Sequence, residues 1–158
     1  MKPASLAFAV VLGVSATAAI AADTHSHHAA PSDDRRAALE LSEPERAMIL
    51  EEMRLFLVGV EKITGALARE DMAAVAAEAR ELGVKMTHEV PPALREKLPQ
   101  GFRQLGFTVH REFDALALDA ESMKDPRHSL QQLSATLQKC VSCHASYQIR
   151  PQALAAGH

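Results

Sequence analysis

Near the end of the chain, five residues stand in an order that can do chemistry: Cys140-Val141-Ser142-Cys143-His144. On a helix the three-residue step holds both thiols on one side, and the imidazole lies four residues from the first thiol. C-x-x-C-H is the signature of covalent haem attachment. The two thiols form thioethers with the vinyl groups, and the adjacent imidazole reaches the iron from one side of the ring. The sequence therefore predicts one haem c per chain on Cys140 and Cys143, with His144 as the proximal iron ligand. Three other chemistries use the same atoms. A structural disulfide would close a tiny loop and leave His144 unexplained. A zinc site wants four ligands, and no second pair stands at ligand spacing. A thioredoxin-like pair expects a βαβ context and a helix N-terminus, whereas these cysteines lie late in a long helical pattern.

Four amphipathic helices are expected to position the motif. The first opens on a capping box, Ser42-Glu43-Pro44-Glu45, with proline at a tolerated early position. Ile49, Met53, Phe56, Val60, Ile63 and Leu67 follow at steps of four and three, a core stripe that ends near Gly65 and the Arg69-Glu70-Asp71 turn. The second, capped by Asp71, carries Met72, Val75, Ala79, Leu82 and Met86 and stops at Pro91-Pro92. Residues 93–98 read as a short helical turn. The third starts after Pro99 with Phe102, Leu105, Val109, Phe113 and Leu116 on one face. The fourth starts at Asp125-Pro126 and places Leu130, Leu133, Leu137, Cys140, His144 and Tyr147 at three-four spacing, bounded by Pro151. No segment reads as a strand. Short connections predict an all-α fold, an antiparallel four-helix bundle with covalent haem near the end of its last helix.

Ahead of the helices, Lys2, the apolar stretch 4–20 and Ala19-Ile20-Ala21 read as a secretory signal peptide over residues 1–21; cleavage after Ala22 is the close alternative. Residues 22–41 are expected to form a disordered leader, 42–150 the four-helix domain and 151–158 a C-terminal tail. Within the leader, His25, His27 and His28 can capture a metal ion, but a solvated tail is the favoured reading. Removing the signal with its single lysine moves the formal charge from -3 to -4, a poor balance for nucleic-acid binding. With no Trp and 4% aromatic residues, a base-stacking platform is not expected either. No later stretch approaches the ~18 apolar residues of a membrane span. Because c-type haem is attached outside the cytoplasm, the chain is expected in the periplasm.

The motif, its place in the last helix and the phrase CVSCHASYQIR give residues 42–150 a resemblance to the class II c-type cytochromes, cytochrome c prime and its low-spin four-helix relatives. As in that family, Tyr147 follows the histidine by three. One departure is Gln148, where the family usually has a basic residue; a basic side chain, Arg150, comes only further on. Class I cytochromes are excluded because their methionine ligand lies far downstream of the motif. Fourteen residues follow His144 here, and none is methionine.

The resemblance implies that the distal iron ligand comes from the first helix, at Met53. At ~1.5 Å per residue, Met53 stands about 15 Å above the start of that helix and His144 about 9 Å before the end of the last. The two levels are compatible in an antiparallel bundle. Met86 and His110 come out at similar heights, and a vacant site shielded by Phe56 stays open as well. A methionine ligand makes an electron carrier; a five-coordinate iron makes a module binding NO or CO. Electron transfer through His/Met-ligated haem is the expected function, with no enzymatic acid–base constellation beside the motif and a redox partner the sequence does not name. The resemblance also implies a homodimer through the first two helices, which exposed Leu55, Leu57 and Val58 permit.

Overall fold

The computed structural model describes residues 34–152. The signal peptide, its cleavage site, the leader histidines and residues 153–158 of the tail lie outside the described residues. The elements below belong to the unit Arg35–His158. Their order is β1 (Ala37–Leu41), α1 (Glu43–Ala68), α2 (Met72–Glu81), a 3-10 segment (Val84–Glu89), α3 (Pro92–Lys97), α4 (Gln100–Ser122), α5 (Pro126–Ser146) and β2 (Tyr147–Pro151).

Helices dominate, and most begin where their capping chemistry lies. The Glu45 carboxylate accepts from the Ser42 backbone N–H at 3.0 Å and from its hydroxyl at 2.8 Å, which fixes the first turn of α1. Asp71 caps α2 by accepting from Ala74 N–H, and Asp125 caps α5 by accepting from Arg127 and His128. The turn expected after Pro92 is α3.

Three expectations need correction. First, there is a strand pair: β1 and β2 run parallel, with Ala37 opposite Tyr147 and Leu41 opposite Pro151. Residues 37–41, assigned above to a disordered leader, are therefore ordered, and the ladder extends to Pro151 at the edge of the tail. The reason is burial. Leu39 and Leu41 alternate with exposed Ala38 and Glu40 and sink into a cluster with Ile49, Leu94 and Leu98. Two buried leucines contribute about 3–6 kcal/mol, which with the ladder to β2 offsets the cost of ordering a short strand. Second, α2 stops at Glu81, so Met86 sits on the 3-10 segment rather than on the second helix. Asp114 of α4 accepts from Val84 N–H at 3.0 Å and starts that segment; a Cβ on Gly83 would fall 1.9 Å from the same carboxylate. Third, α5 ends at Ser146, and Tyr147 belongs to β2. The buried stripe of α5 is Ser129, Leu133 and Thr136, while Leu130 and Leu137 are exposed.

The main core gathers Ile63 and Leu67 of α1, Val75 and Ala79 of α2, Val109, Phe113 and Leu116 of α4, and Leu133 of α5. Helix α2 packs on α1 and α4, and α5 packs on α4. Between α1 and α4, Glu52 and Phe56 meet His110, and Phe56 also meets Phe113, so contacts ascend together. Elsewhere they descend: Lys62 with Glu78, Arg80 with Glu121, Glu112 with Lys139, Asp119 with Gln132.

Candidate functional site

Cys140, Cys143 and His144 lie in the last two turns of α5. Both thiols are free and half-buried, with Cys140 Sγ donating weakly to Thr136 O at 3.8 Å. Burial pushes both thiols up; the Glu112 carboxylate adds to the effect on Cys140, and Cys140 adds to it on Cys143. They are held protonated, the opposite of the low-pKa thiolate a disulfide oxidoreductase needs. Helical i, i+3 spacing keeps their Cβ atoms about 5–6 Å apart, wider than the ~3.5–4.5 Å a disulfide spans. Among the described residues no group of three or more His, Cys, Asp and Glu side chains is placed to hold a metal ion, so the zinc reading gains no partner for the motif.

At ~100° per residue, the faces of α5 separate cleanly. His128, Gln132 and Lys139 meet α4 through Asp119 and Glu112. The buried stripe comes next. Past it, away from α4, a third arc of about 60° holds Leu130, Leu137, Val141 and His144. Its apolar members are uncovered: Leu130 is 54% exposed, Leu137 36% and Val141 70%. Helix α1 has a matching flank. Gly59 and Lys62 face α2, Glu52 and Phe56 face α4, and Met53, Leu57 and Val60 lie past them, away from α2. Met53 is half-buried and Leu57 is 71% exposed. Helices α1 and α5 meet far less than α1 meets α2 or α5 meets α4. From the exposure of Leu57, Leu130, Leu137 and Val141 we infer an apolar seam between them.

Helix α4 gives the levels along that seam. His110 lies beside Glu52 and Phe56 of α1, and Glu112 bridges Lys139 of α5 at 2.7 Å. Counting from these contacts at ~1.5 Å per residue puts Met53 within about one turn of Cys140, Cys143 and His144. This count replaces the one from helix ends, since α5 finishes at Ser146.

The other two distal candidates are placed differently. Met86 packs against the main core from the 3-10 segment, which lies on α4, outside the seam. His110 is buried and both its nitrogens are engaged: Nδ1 donates to Leu82 O at 2.8 Å, and Nε2 faces Glu52 Oε1 at 3.2 Å. Burial lowers its pKa, but the Glu52 carboxylate and the Leu82 carbonyl outweigh that, and the net direction is up. Both ring nitrogens already face protein oxygens.

Residues outside the motif hold the end of α5. Arg36 Nη1 donates to the His144 carbonyl at 3.1 Å, a last-turn acceptor that otherwise lacks a helical partner. Tyr147 lies edge-on to Phe102, with ring centroids 5.4 Å apart, and a Cβ on Gly101 would fall 2.9 Å from its hydroxyl. Arg150 Nε donates to Gln148 Oε1 at 3.0 Å. Sequence reasoning missed Arg36, Glu52 and Glu112; only the Leu39-Glu40-Leu41 alternation signalled that the segment carrying Arg36 is ordered. Compared with protein-family models, curated proteins and solved structures, the chain matches none.

Proposed function

We propose that this chain is a periplasmic monohaem c-type cytochrome that transfers electrons, with α1, α2, α4 and α5 as an antiparallel four-helix bundle. The alternating directions of the helix contacts support the bundle. One observation carries the functional reading: the C-x-x-C-H motif sits on the helix whose apolar flank is left uncovered, and the flank of α1 that carries Met53 leaves Leu57 exposed as well. A protein does not usually leave such matched apolar strips to water, and a flat apolar ring between α1 and α5 fits them. Haem c, when bound, supplies an iron that accepts and returns one electron.

Cys140 and Cys143 would hold the ring covalently, their protonated thiols adding across its vinyl groups. His144, whose imidazole makes no hydrogen bond among the described residues, would hold the iron, and Arg36 steadies the turn that carries it. Met53 would be the second protein ligand of the iron: it lies half-buried on the seam flank of α1, while Met86 packs on the main core and His110 is engaged by Leu82 and Glu52. A soft sulfur donor favours ferrous iron. The resemblance of residues 42–150 to class II c-type cytochromes supports the same assignment. A homodimer fits less simply. Leu55 and Val58 share one face of α1, but Leu57 lies about 100° or more from both and belongs to the seam.

Mass spectrometry and optical spectra of the purified protein test the reading. Expected are a mass increase of one haem that survives acid-acetone extraction, and a low-spin ferric spectrum. Haem that extracts freely, or a full-length chain with titratable thiols and no haem, overturns it. Covalent haem with a high-spin ferric spectrum keeps the cytochrome and moves the function to binding of NO or CO.

A further inference from the structure

A second concavity lies away from the cysteine motif. A cleft of about 410 Å³ opens between α1, the 3-10 segment, α3 and α4, and neither cysteine nor Met53 lines it. Its α4 lining, which includes Phe102, Arg103, Phe107 and His110, lies roughly 80–180° round the helix from Glu112, which faces α5. The cleft shares no lining residue with the apolar flanks of α1 and α5 described above.

The lining has two parts. Buried Ile49 and Leu98 and half-buried Phe102 form an apolar floor, and exposed Arg95 and Arg103 stand at the mouth. Arg95 is held in place: its Nη2 donates to the carbonyls of Thr87 at 3.0 Å and Val90 at 3.2 Å. Both acceptors are neutral, and among the described residues no carboxylate pairs with it. Arg103 has no hydrogen bond or ion pair among the described residues. Glu52, which also lines the cleft, is already paired with His110. The site thus offers two cations above an apolar pocket, and its one described carboxylate is engaged elsewhere.

We propose that this cleft binds a small amphipathic carboxylate, its apolar body on Ile49, Leu98 and Phe102 and its carboxylate between Arg95 and Arg103. Guanidinium groups match carboxylate geometry through paired N–H donors, and few polar groups over an apolar floor is the usual build of a ligand site. An apolar cavity of ~150 Å³ holds benzene; by proportion, this open cleft takes about ten to sixteen non-hydrogen atoms. That is the size of a medium-chain or arylalkyl carboxylate. The proposal stands on residues outside the haem seam and does not depend on it.

The test is calorimetric titration of the purified full-length protein, with its prosthetic group, using 4-phenylbutyrate and its neutral amide. Expected is saturable binding of one 4-phenylbutyrate per chain, with the amide weaker by roughly ten- to a hundred-fold. Arg103→Gln should weaken the carboxylate by a similar factor and leave the amide unchanged. Arg103 makes no hydrogen bond or ion pair among the described residues, so this variant should fold as wild type, checked by circular dichroism. Equal binding of acid and amide, wild-type affinity in Arg103→Gln, or no saturable binding at millimolar probe would each overturn the proposal.

Discussion

If the seam between α1 and α5 is the seat of a covalently held ring, removing that ring should cost a calculable amount of stability. The perturbation is Cys140→Ala with Cys143→Ala, which takes away both attachment points. Leu57, Leu130, Leu137 and Val141 are 71%, 54%, 36% and 70% exposed, together a little more than two whole side chains left in water. At about 1.5–3 kcal/mol per side chain, covering them contributes about 3.5–7 kcal/mol. That is comparable to the whole stability of an ordinary domain, roughly 5–15 kcal/mol. With about 4–6 °C per kcal/mol in a domain near this size, the melting temperature should fall by roughly 15–40 °C. Thermal and urea unfolding followed by circular dichroism at 222 nm measures it. Leu57→Ser supplies the internal control: it should cost within ~0.5 kcal/mol in the haem-free chain but about 1–2 kcal/mol in the haem-loaded one. A double cysteine variant that melts within a few degrees of the loaded protein would refute the seam as the seat. So would a Leu57→Ser cost that is the same in both forms.

Three further outcomes are expected. Met53→Ala should lower the reduction potential, abolish the weak sulfur–iron band at the red end of the ferric spectrum and speed binding of carbon monoxide; Met86→Ala should leave all three nearly unchanged. Glu45 is held down to about 2 by Lys97 and by the Ser42 hydroxyl and backbone, so its contribution to stability is complete above pH 4.5 and disappears as pH falls from there to about 2. In Glu45→Gln, the urea midpoint should drop less across that window than in wild type. Gly59→Ala puts a Cβ 2.5 Å from Leu82 Cδ1, an overpacking of about 1–3 kcal/mol against a helix gain of about 1; a net loss should appear in urea unfolding and vanish in a Leu82→Ala background.

The four long helices were legible because each has its own local punctuation: the Ser42–Glu45 box, the Asp71 and Asp125 caps, the prolines at 92, 99 and 126. That Cys140, Cys143 and His144 share one helix was legible for the same reason, as spacing within a local segment. What sequence could not give depends on partners far away along the chain. Leu39 and Leu41 look like part of a polar leader until Leu94 and Leu98 stand opposite them. The second helix seems to run on to Met86 until Asp114, thirty residues downstream, draws off the Val84 N–H. On α5 the three-four spacing of apolar residues marked a helix, but period alone does not say which apolar residues a neighbour covers. Leu133 is covered by the core and Leu137 is not. His110 shows the same limit: its phase suited an iron ligand, and only the surrounding Leu82 carbonyl and Glu52 carboxylate reveal that it is occupied.

The parallel pairing of β1 with β2 sets the order in which the chain can finish folding. Ala37 meets a partner 110 residues later in the sequence, so β1 is synthesised long before anything exists for it to pair with. Helices α1 to α4 can form and dock while Leu39 and Leu41 still wait, because their own contacts are closer along the chain. Closing so long a loop is slow, and it must come after the cysteine motif has been made, since β2 begins three residues beyond His144. Until then Arg36 cannot reach the His144 carbonyl, and the last turn of α5 can fray. The two thiols are therefore most accessible in the interval before the ladder zips shut, and the ladder, once formed, latches the finished end of α5 to the beginning of the domain.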